Sequence, residues 1–110
     1  MSRMGAVESA AASRITASPG AISDFCRRHH VRKLSLFGSV LRDDFRPESD
    51  VDVLVEFEPK GAPDFFQFVG MKEELEAMFG RRVDLKTANS LSPYFRDRVL
   101  AEALRLHDAA

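Results

Sequence analysis

Two aspartates, Asp50 and Asp52, stand two residues apart at the start of an apolar run that ends at Phe57. Residues two apart in a strand project to the same face and rise about 6.6 Å, so both carboxylates can converge on one point. Such a pair is costly unless a cation lies between the two charges. Magnesium prefers hard oxygen ligands and often binds carboxylates together with substrate phosphates, which suits transfer reactions at phosphorus. An isolated Asp-x-Asp is more often a pair of solvated acids on an exposed strand face.

A second feature is the dipeptide Gly38-Ser39, which ten residues separate from Asp50. Glycine lets the backbone approach a ligand closely, and the amides of a following helical turn, with the serine hydroxyl, can form an anion site. Such a site would hold the β- and γ-phosphates of a nucleotide. The alternative is an ordinary strand-to-helix turn in which serine caps the helix.

Asp84 is a third candidate, on the polar side of a predicted strand. If that strand is adjacent to the one after Asp50, the three carboxylates gather at one end of the sheet. Asp84 could then help to hold a metal ion and take a proton from an attacking hydroxyl. The alternative is a salt bridge to Arg82 or Lys86.

The elements that position these residues alternate between helices and strands. Apolar periodicity and the capping signals Ser18-Pro19, Gly80 and Ser92-Pro93 define their bounds. The predicted elements are a helix over 19–30, a strand over 31–37, helical turns over 40–45, a strand over 50–57, a helix over 64–79, a strand over 81–87 and a final helix from 92. This order indicates an α/β or α+β fold, in which helices cover a small sheet.

Helical periodicity also predicts which side chains are buried. In the helix over 64–79, the apolar stripe comprises Phe65, Phe68, Met71, Leu75, Met78 and Phe79, and in the final helix it comprises Phe95, Val99, Ala103 and Leu106. We expect these residues and Cys26 to be core. Phe66 falls off the stripe and is the aromatic residue most suited to an exposed partner surface.

Length and composition set further limits. The chain has 110 residues, a net charge of −1 and a single cysteine. We therefore expect one domain over 19–110 preceded by a disordered tail over 1–18. The interspersed charges argue against direct nucleic-acid binding. The absence of a long apolar run argues against a membrane span and a secretory signal, and the lone cysteine fits a cytoplasmic location.

Taken together, Gly38-Ser39 and Asp50-Val51-Asp52 resemble the signature of the DNA-polymerase-β-like nucleotidyltransferase superfamily, and Asp84 falls where its third carboxylate is expected. The longer run from Leu36 to Phe57, with Arg82-Val83-Asp84-Leu85 and Leu91-Ser92-Pro93, is similar to the minimal nucleotidyltransferases, also called MNT domains or MntA-type antitoxins. The resemblance extends from about Leu34 to the last helix.

The resemblance implies a small mixed β-sheet flanked by helices, the polymerase-β-like nucleotidyltransferase fold. It also implies that Asp50, Asp52 and Asp84 bind Mg²⁺, and that Gly38 and Ser39 hold the triphosphate of ATP. Arg42, one helical turn after Ser39, could reach the phosphates. Its alternative is a surface salt bridge with a nearby acid, and Lys86 is a weaker phosphate candidate.

The acceptor implied by the resemblance is a partner protein. Minimal nucleotidyltransferases are commonly paired with HEPN-type RNase toxins, and the similarity suggests transfer of AMP from ATP to a tyrosine of such a toxin. The chain would then be the antitoxin of a toxin–antitoxin pair. One alternative is a non-catalytic antitoxin that neutralises its partner by binding only. Another is transfer to a small molecule, against which the lack of a visible substrate domain counts.

Overall fold

The computed structural model describes residue 15 and residues 17–41 and 49–108, with Ser39 described by its backbone alone. These ranges contain three α-helices, four strands and two short 3₁₀ turns. In chain order they are α1 (Pro19–Arg28), β1 (Val31–Phe37), a 3₁₀ turn (Gly38–Leu41), β2 (Val51–Phe57), α2 (Phe65–Phe79), β3 (Val83–Thr87), a second 3₁₀ turn (Ala88–Ser90), α3 (Pro93–Glu102) and β4 (Leu104–Asp108).

The helices begin and end at the residues that local chemistry favours. The hydroxyl of Ser18 accepts a hydrogen bond from the Ala21 N–H at 3.1 Å, which satisfies one of the free amides of α1. Asp64 and Gln67 form a reciprocal capping box at the start of α2. Gly80 ends that helix in the left-handed conformation, with φ at 71°. The predicted helix starts and the predicted stop at Gly80 are therefore confirmed.

The four strands form one mixed sheet in the order β3-β2-β1-β4. β1 lies antiparallel to both β2 and β4, whereas β2 and β3 are parallel. A parallel pair needs a crossover connection, and α2 provides it between β2 and β3. The small mixed sheet flanked by helices agrees with the fold class expected from the sequence.

The two faces of the sheet differ in composition. One face carries the main core, in which α1 and α2 pack on the strands. The helices contribute Ile22, Phe25, Cys26, Met71, Leu75 and Phe79, and the strands contribute Leu34, Leu36, Val51, Val53, Val55, Val83 and Leu85. The opposite face has a smaller cluster of Phe37, Leu54 and Leu91, against which Val99 of α3 and Ala103, the residue after α3, pack. We call this second face the polar face, because Asp52, Asp84 and Lys86 also lie on it.

The secondary structure predicted for the last residues of the chain is wrong. The final helix does not continue through Leu106; it ends at Glu102, and β4 follows at once and pairs with the outer edge of β1. Ala103 already has extended backbone angles, and strand pairing satisfies backbone groups that β1 would otherwise leave unpaired. Leu106 is therefore a strand residue.

Two aromatic residues that the sequence predicted to be buried, Phe65 and Phe95, are exposed. Phe95 is 50% exposed, and no residue of α3, all of which is described, is fully buried. Phe65 is 73% exposed because the stripe of α2 packs on the core only from Phe68 onward. Phe66 is 83% exposed, as expected, and Cys26 is core.

The last residues of the predicted tail take part in the packing. Residues 1–14 and 16 of the predicted tail lie outside the described residues. Ile15 is buried in the main core, and Ala17 packs against it. Packing thus begins a few residues before Pro19. None of the described helices is long and apolar enough to cross a membrane.

Candidate active site

Gly38 and Asp52 are in direct contact at the end of β1. Phe37, the last residue of β1, pairs with Asp52 across the antiparallel ladder, so the chain turns away from the sheet directly beside this carboxylate. Gly38 has φ at 75°, which L side chains rarely adopt. A Cβ at this position would lie 2.2 Å from Oδ2 of Asp52. Residue 38 is therefore restricted to glycine for two separate reasons.

Asp52 and Asp84 are direct neighbours on the polar face. They pair with each other in the parallel ladder between β2 and β3. Residues paired in this way lie on the same face of strands about 4.8 Å apart. Phe37, Asp52 and Asp84 thus form a row across three strands, with Gly38 at its end. The strand of Asp84 therefore lies next to that of Asp52, which is the condition under which the sequence places these carboxylates at one end of the sheet.

Asp50 lies just before β2 at the same end of the sheet. The N–H of the next residue, Val51, donates a hydrogen bond of 2.9 Å to the Arg82 carbonyl, which ties the start of β2 to the start of β3. The carboxylate of Asp50 forms a salt bridge of 3.1 Å with Nε of Arg82. Asp84 forms a salt bridge of 3.1 Å with Nζ of Lys86. The alternative reading of Asp84, a salt bridge, is thus realised with Lys86.

Two of the three acids, Asp50 and Asp84, face basic partners in this structure. Within the described part of the chain, no group of three or more His, Cys, Asp or Glu side chains is arranged to hold a metal ion. Asp50 and Asp84 are both about half-exposed and face basic partners across surface salt bridges. Such bridges contribute only about 0–1 kcal/mol, so a multivalent cation or a substrate phosphate can displace them at little cost.

The residues fit a magnesium ion by their chemistry and by the space around them. Asp52 and Asp84 offer hard carboxylate oxygens on adjacent strands, which is the ligand type that Mg²⁺ prefers. Glycine at position 38 keeps open the space beside the Asp52 carboxylate, which any Cβ would fill. Asp50 lies at the same end of the sheet, where its carboxylate contacts Arg82.

The predicted phosphate site is described in part. Gly38 and Ser39 open the 3₁₀ turn that follows β1, as the strand-to-helix reading expected. Arg42 lies outside the described residues. The assignment of Gly38, Ser39 and Arg42 to the triphosphate stays a prediction.

A small cavity lies between Gly38 and α3. Its volume is about 200 Å³, and it is lined by Phe37, Gly38, Arg98, Val99 and Glu102. Arg98 belongs to none of the sequence motifs that predicted the site. Its proximity to Gly38 depends on α3 running back over the polar face from the end of β3, and no local pattern encodes that direction.

A larger cavity of about 550 Å³ lies at the other end of the sheet, where β2 and β3 finish. Its described lining is largely apolar and includes Phe57, Pro63, Phe65 and Phe68. None of the predicted site residues is among that lining, so volume alone does not locate the chemistry in this fold.

Sequence comparison identifies the family. The family model for the nucleotidyltransferase domain matches residues 20–106. A protein of Methanocaldococcus jannaschii named "Putative protein adenylyltransferase MJ0435" is 44% identical over 78 residues, covering 70% of this chain and 81% of the relative. The protein adenylyltransferase MntA of Thermococcus cleftensis is 40% identical over 77 residues, covering 70% of this chain and 76% of the relative.

Solved structures share the fold. One described as a "putative minimal nucleotidyltransferase" has a TM-score of 0.66 at 33% identity and covers 94% of this chain and 98% of its own. A toxin–antitoxin structure with AMP-PNP has a TM-score of 0.66 at 20% identity, covering 83% of this chain and 73% of the other. A structure of a tri-AMPylated HEPN toxin of Shewanella oneidensis with an MNT antitoxin has a TM-score of 0.58 at 21% identity, covering 82% of this chain and 69% of the other. At these last two identities the likeness concerns the fold alone. By its sequence and its fold, the chain belongs to the nucleotidyltransferase domain family and, within it, to the minimal nucleotidyltransferases.

Proposed function

We propose that this nucleotidyltransferase transfers AMP from ATP to a tyrosine hydroxyl of a HEPN-type toxin, and that it thereby acts as the antitoxin of a toxin–antitoxin pair. The observation that carries the proposal is the close approach of Gly38 to Asp52 beside the adjacent carboxylate of Asp84. Two relatives carry the name protein adenylyltransferase. Two fold neighbours are toxin–antitoxin structures, one with an ATP analogue and one with an AMPylated toxin.

In this proposal, Asp50, Asp52 and Asp84 hold magnesium on the polar face. Bound Mg²⁺ neutralises phosphate charge and so makes the α-phosphate easier to attack. The protein supplies position and electrostatic stabilisation. The backbone amides of Gly38 and Ser39 bind the β- and γ-phosphates, which places the α-phosphate next to Asp52.

The reaction joins the acceptor oxygen to the α-phosphorus and breaks the bond to the β-phosphate oxygen. Asp84 accepts the proton of the acceptor hydroxyl as that hydroxyl attacks in line. Pyrophosphate leaves from the Gly38 side, opposite to the attack. Lys86, which lies 3.1 Å from Asp84, would be released to bind a phosphate oxygen when Asp84 holds the metal ion.

An antitoxin that neutralises its partner by binding only is the second candidate. The salt bridges of Asp50 with Arg82 and of Asp84 with Lys86 favour it. In a protein that only binds its partner, these would be ordinary surface ion pairs without a catalytic role. The two candidates differ in whether neutralisation needs an intact carboxylate on the polar face.

The deciding experiment incubates the chain with α-phosphate-labelled ATP, Mg²⁺ and the HEPN-type protein encoded beside it. It compares the wild type with Asp52→Asn and with a matched control, Asp24→Asn. Asp24 is also a half-exposed, salt-bridged aspartate, but it lies on α1, against the opposite face of the sheet. We expect label on the partner with the wild type and Asp24→Asn and none with Asp52→Asn. Silencing of the toxin by all three proteins without label would leave the binding antitoxin.

A further inference from the structure

Arg98 is the basic residue that α3 brings to the phosphate side of the site. The helix starts near the end of β3, where Nε of Arg96 donates a hydrogen bond of 2.9 Å to the Ala88 carbonyl. It ends near the end of β1, because β4 follows it and pairs Leu104 with Leu36. The last turns of α3 therefore lie over the end of β1, beside Gly38.

The packing of Val99 fixes the position of Arg98. Val99 contacts the cluster of Phe37 and Leu54 and so anchors the helix to the polar face. Its neighbour Arg98 lines the cavity of about 200 Å³ that also borders Gly38. Among the described residues that line this cavity, Arg98 carries the only positive charge.

The present partner of Arg98 holds it weakly. Its Nε lies 3.6 Å from Oε2 of Glu102, beyond hydrogen-bond distance, and the two side chains are 79% and 67% exposed. An exposed pair of this kind contributes little to stability. Arg98 can therefore leave Glu102 for a stronger anionic ligand without disturbing the fold.

The charges of the site favour a further basic residue beside the phosphates. Three acids lie at this end of the sheet, and the phosphates of a nucleotide add negative charge, of which bound Mg²⁺ would neutralise a part. Arg82 and Lys86 already lie 3.1 Å from Asp50 and Asp84. The planar guanidinium group can bind two phosphate oxygens at once, which suits it to this role.

We propose that Arg98 binds the β- and γ-phosphates of ATP across the cavity beside Gly38. When the nucleotide binds, the guanidinium group exchanges the carboxylate of Glu102 for these phosphates. This assignment rests on the proposed function, because it takes the triphosphate to lie at Gly38. Arg98 donates hydrogen bonds to the phosphate oxygens and transfers no proton. After the reaction it holds the pyrophosphate.

The test measures binding of ATP and of AMP in the presence of Mg²⁺ by isothermal titration calorimetry. Arg98→Ala is expected to bind ATP about tenfold more weakly and AMP within about twofold of the wild type, because AMP lacks the phosphates in question. Arg27→Ala is the matched control. Arg27 is an exposed, salt-bridged arginine on α1, against the opposite face of the sheet, and its substitution should change neither affinity.

Glu102→Gln separates phosphate binding from a structural role of the ion pair. If the pair merely braces α3, the losses from Arg98→Ala and Glu102→Gln are alike. If Arg98 binds phosphate, Glu102→Gln removes a competing charge, and ATP binds about two- to threefold more tightly. Arg98→Lys should lie between wild type and Arg98→Ala, since lysine retains the charge but not the planar fork.

The outcomes distinguish this assignment from the proposed function. Unchanged ATP affinity in Arg98→Ala, or an equal loss with ATP and AMP, overturns the role of Arg98 even if Asp52→Asn still abolishes transfer. The converse outcome is a wild type that binds ATP more tightly than Arg98→Ala does and yet transfers no label to the partner. That result supports the role of Arg98 and contradicts the proposed transferase activity.

Discussion

Replacement of Gly38 by alanine should separate the activity of this protein from its stability. The new Cβ would lie 2.2 Å from Oδ2 of Asp52, and contacts under 3.0 Å are essentially never seen for real Cβ atoms. Oδ2 belongs to a side chain that can rotate, so the carboxylate moves while the strand stays in place. We expect the oxygen to be displaced by about 1 Å, and a misplacement of that size can cost about 10²-fold in rate.

The cost to stability comes from a different source. Gly38 has φ at 75°, and an L residue in the left-handed region costs about 1–2 kcal/mol. For a domain of this size that corresponds to a fall in the melting temperature of about 5–15 °C. The fold should survive, and activity assayed well below the new melting temperature reports on the carboxylate alone.

Two further variants provide controls. Gly70 lies inside α2, and a Cβ added there would meet nothing within 4 Å, so Gly70→Ala should keep full activity and gain about 0.5–1 kcal/mol of stability. Gly38→Asn tolerates the left-handed conformation better than alanine but keeps the same Cβ contact. It should recover part of the stability and none of the activity.

The assay pairs thermal unfolding followed by circular dichroism with AMP transfer to the partner. Transfer by Gly38→Ala at the wild-type rate would refute the reasoning, because the Asp52 carboxylate cannot keep its place beside a Cβ. Recovery of activity in Gly38→Asn would show that backbone strain, and not displacement of Asp52, caused the loss.

Three further predictions concern the packing and the ion pairs. Burial raises the pKa of the Cys26 thiol to about 12, so Ellman's reagent at neutral pH should label Cys26 only as fast as the protein unfolds; rapid labelling of the native chain would contradict this burial. A hydrogen bond from Arg28 holds the pKa of Glu74 below its ordinary value of 4.5, so the stabilisation it provides is complete above pH 4.5 and is lost as the pH falls through the lowered value. Urea unfolding at a series of pH values should show the wild type and Glu74→Gln converging in acid. Phe66→Ser should change the free energy of unfolding by less than about 0.5 kcal/mol, whereas Phe79→Ala should cost about 3–5 kcal/mol, as measured by urea unfolding.

The central part of the fold was predictable because its signals are local. Alternation in β2 places Val51 and Asp52 on opposite faces, and Val51 is buried in the main core. The capping residues Ser18 and Asp64 and the stop at Gly80 act within a few residues, so sequence alone locates these helix ends. The proximity of Asp52 and Asp84 followed once their strands were taken to be neighbours.

The end of the chain was not predictable, because its structure depends on residues far away in sequence. The spacing of Phe95, Val99, Ala103 and Leu106 continues a helical period, and neither glycine nor proline marks a break before β4. What ends the helix is the edge of β1, to which β4 adds a strand. The direction of α3 likewise depends on the contact of Val99 with Phe37 and Leu54, and that contact brings Arg98 to Gly38.

The two faces of the sheet separate the main packing of the fold from the candidate site. The main core lies on the face covered by α1 and α2, and it holds all of the largest fully buried side chains. The polar face is covered by α3 through a cluster of only a few apolar residues, including Phe37 and Leu54. Asp52 therefore lies on a strand whose position is fixed by the main core, while its side chain lies on the less extensively covered face. The backbone of Asp52 is therefore held by the packed side of the sheet, and its carboxylate lies on the side where a ligand would bind. A catalyst that works by positioning its substrate requires such an arrangement.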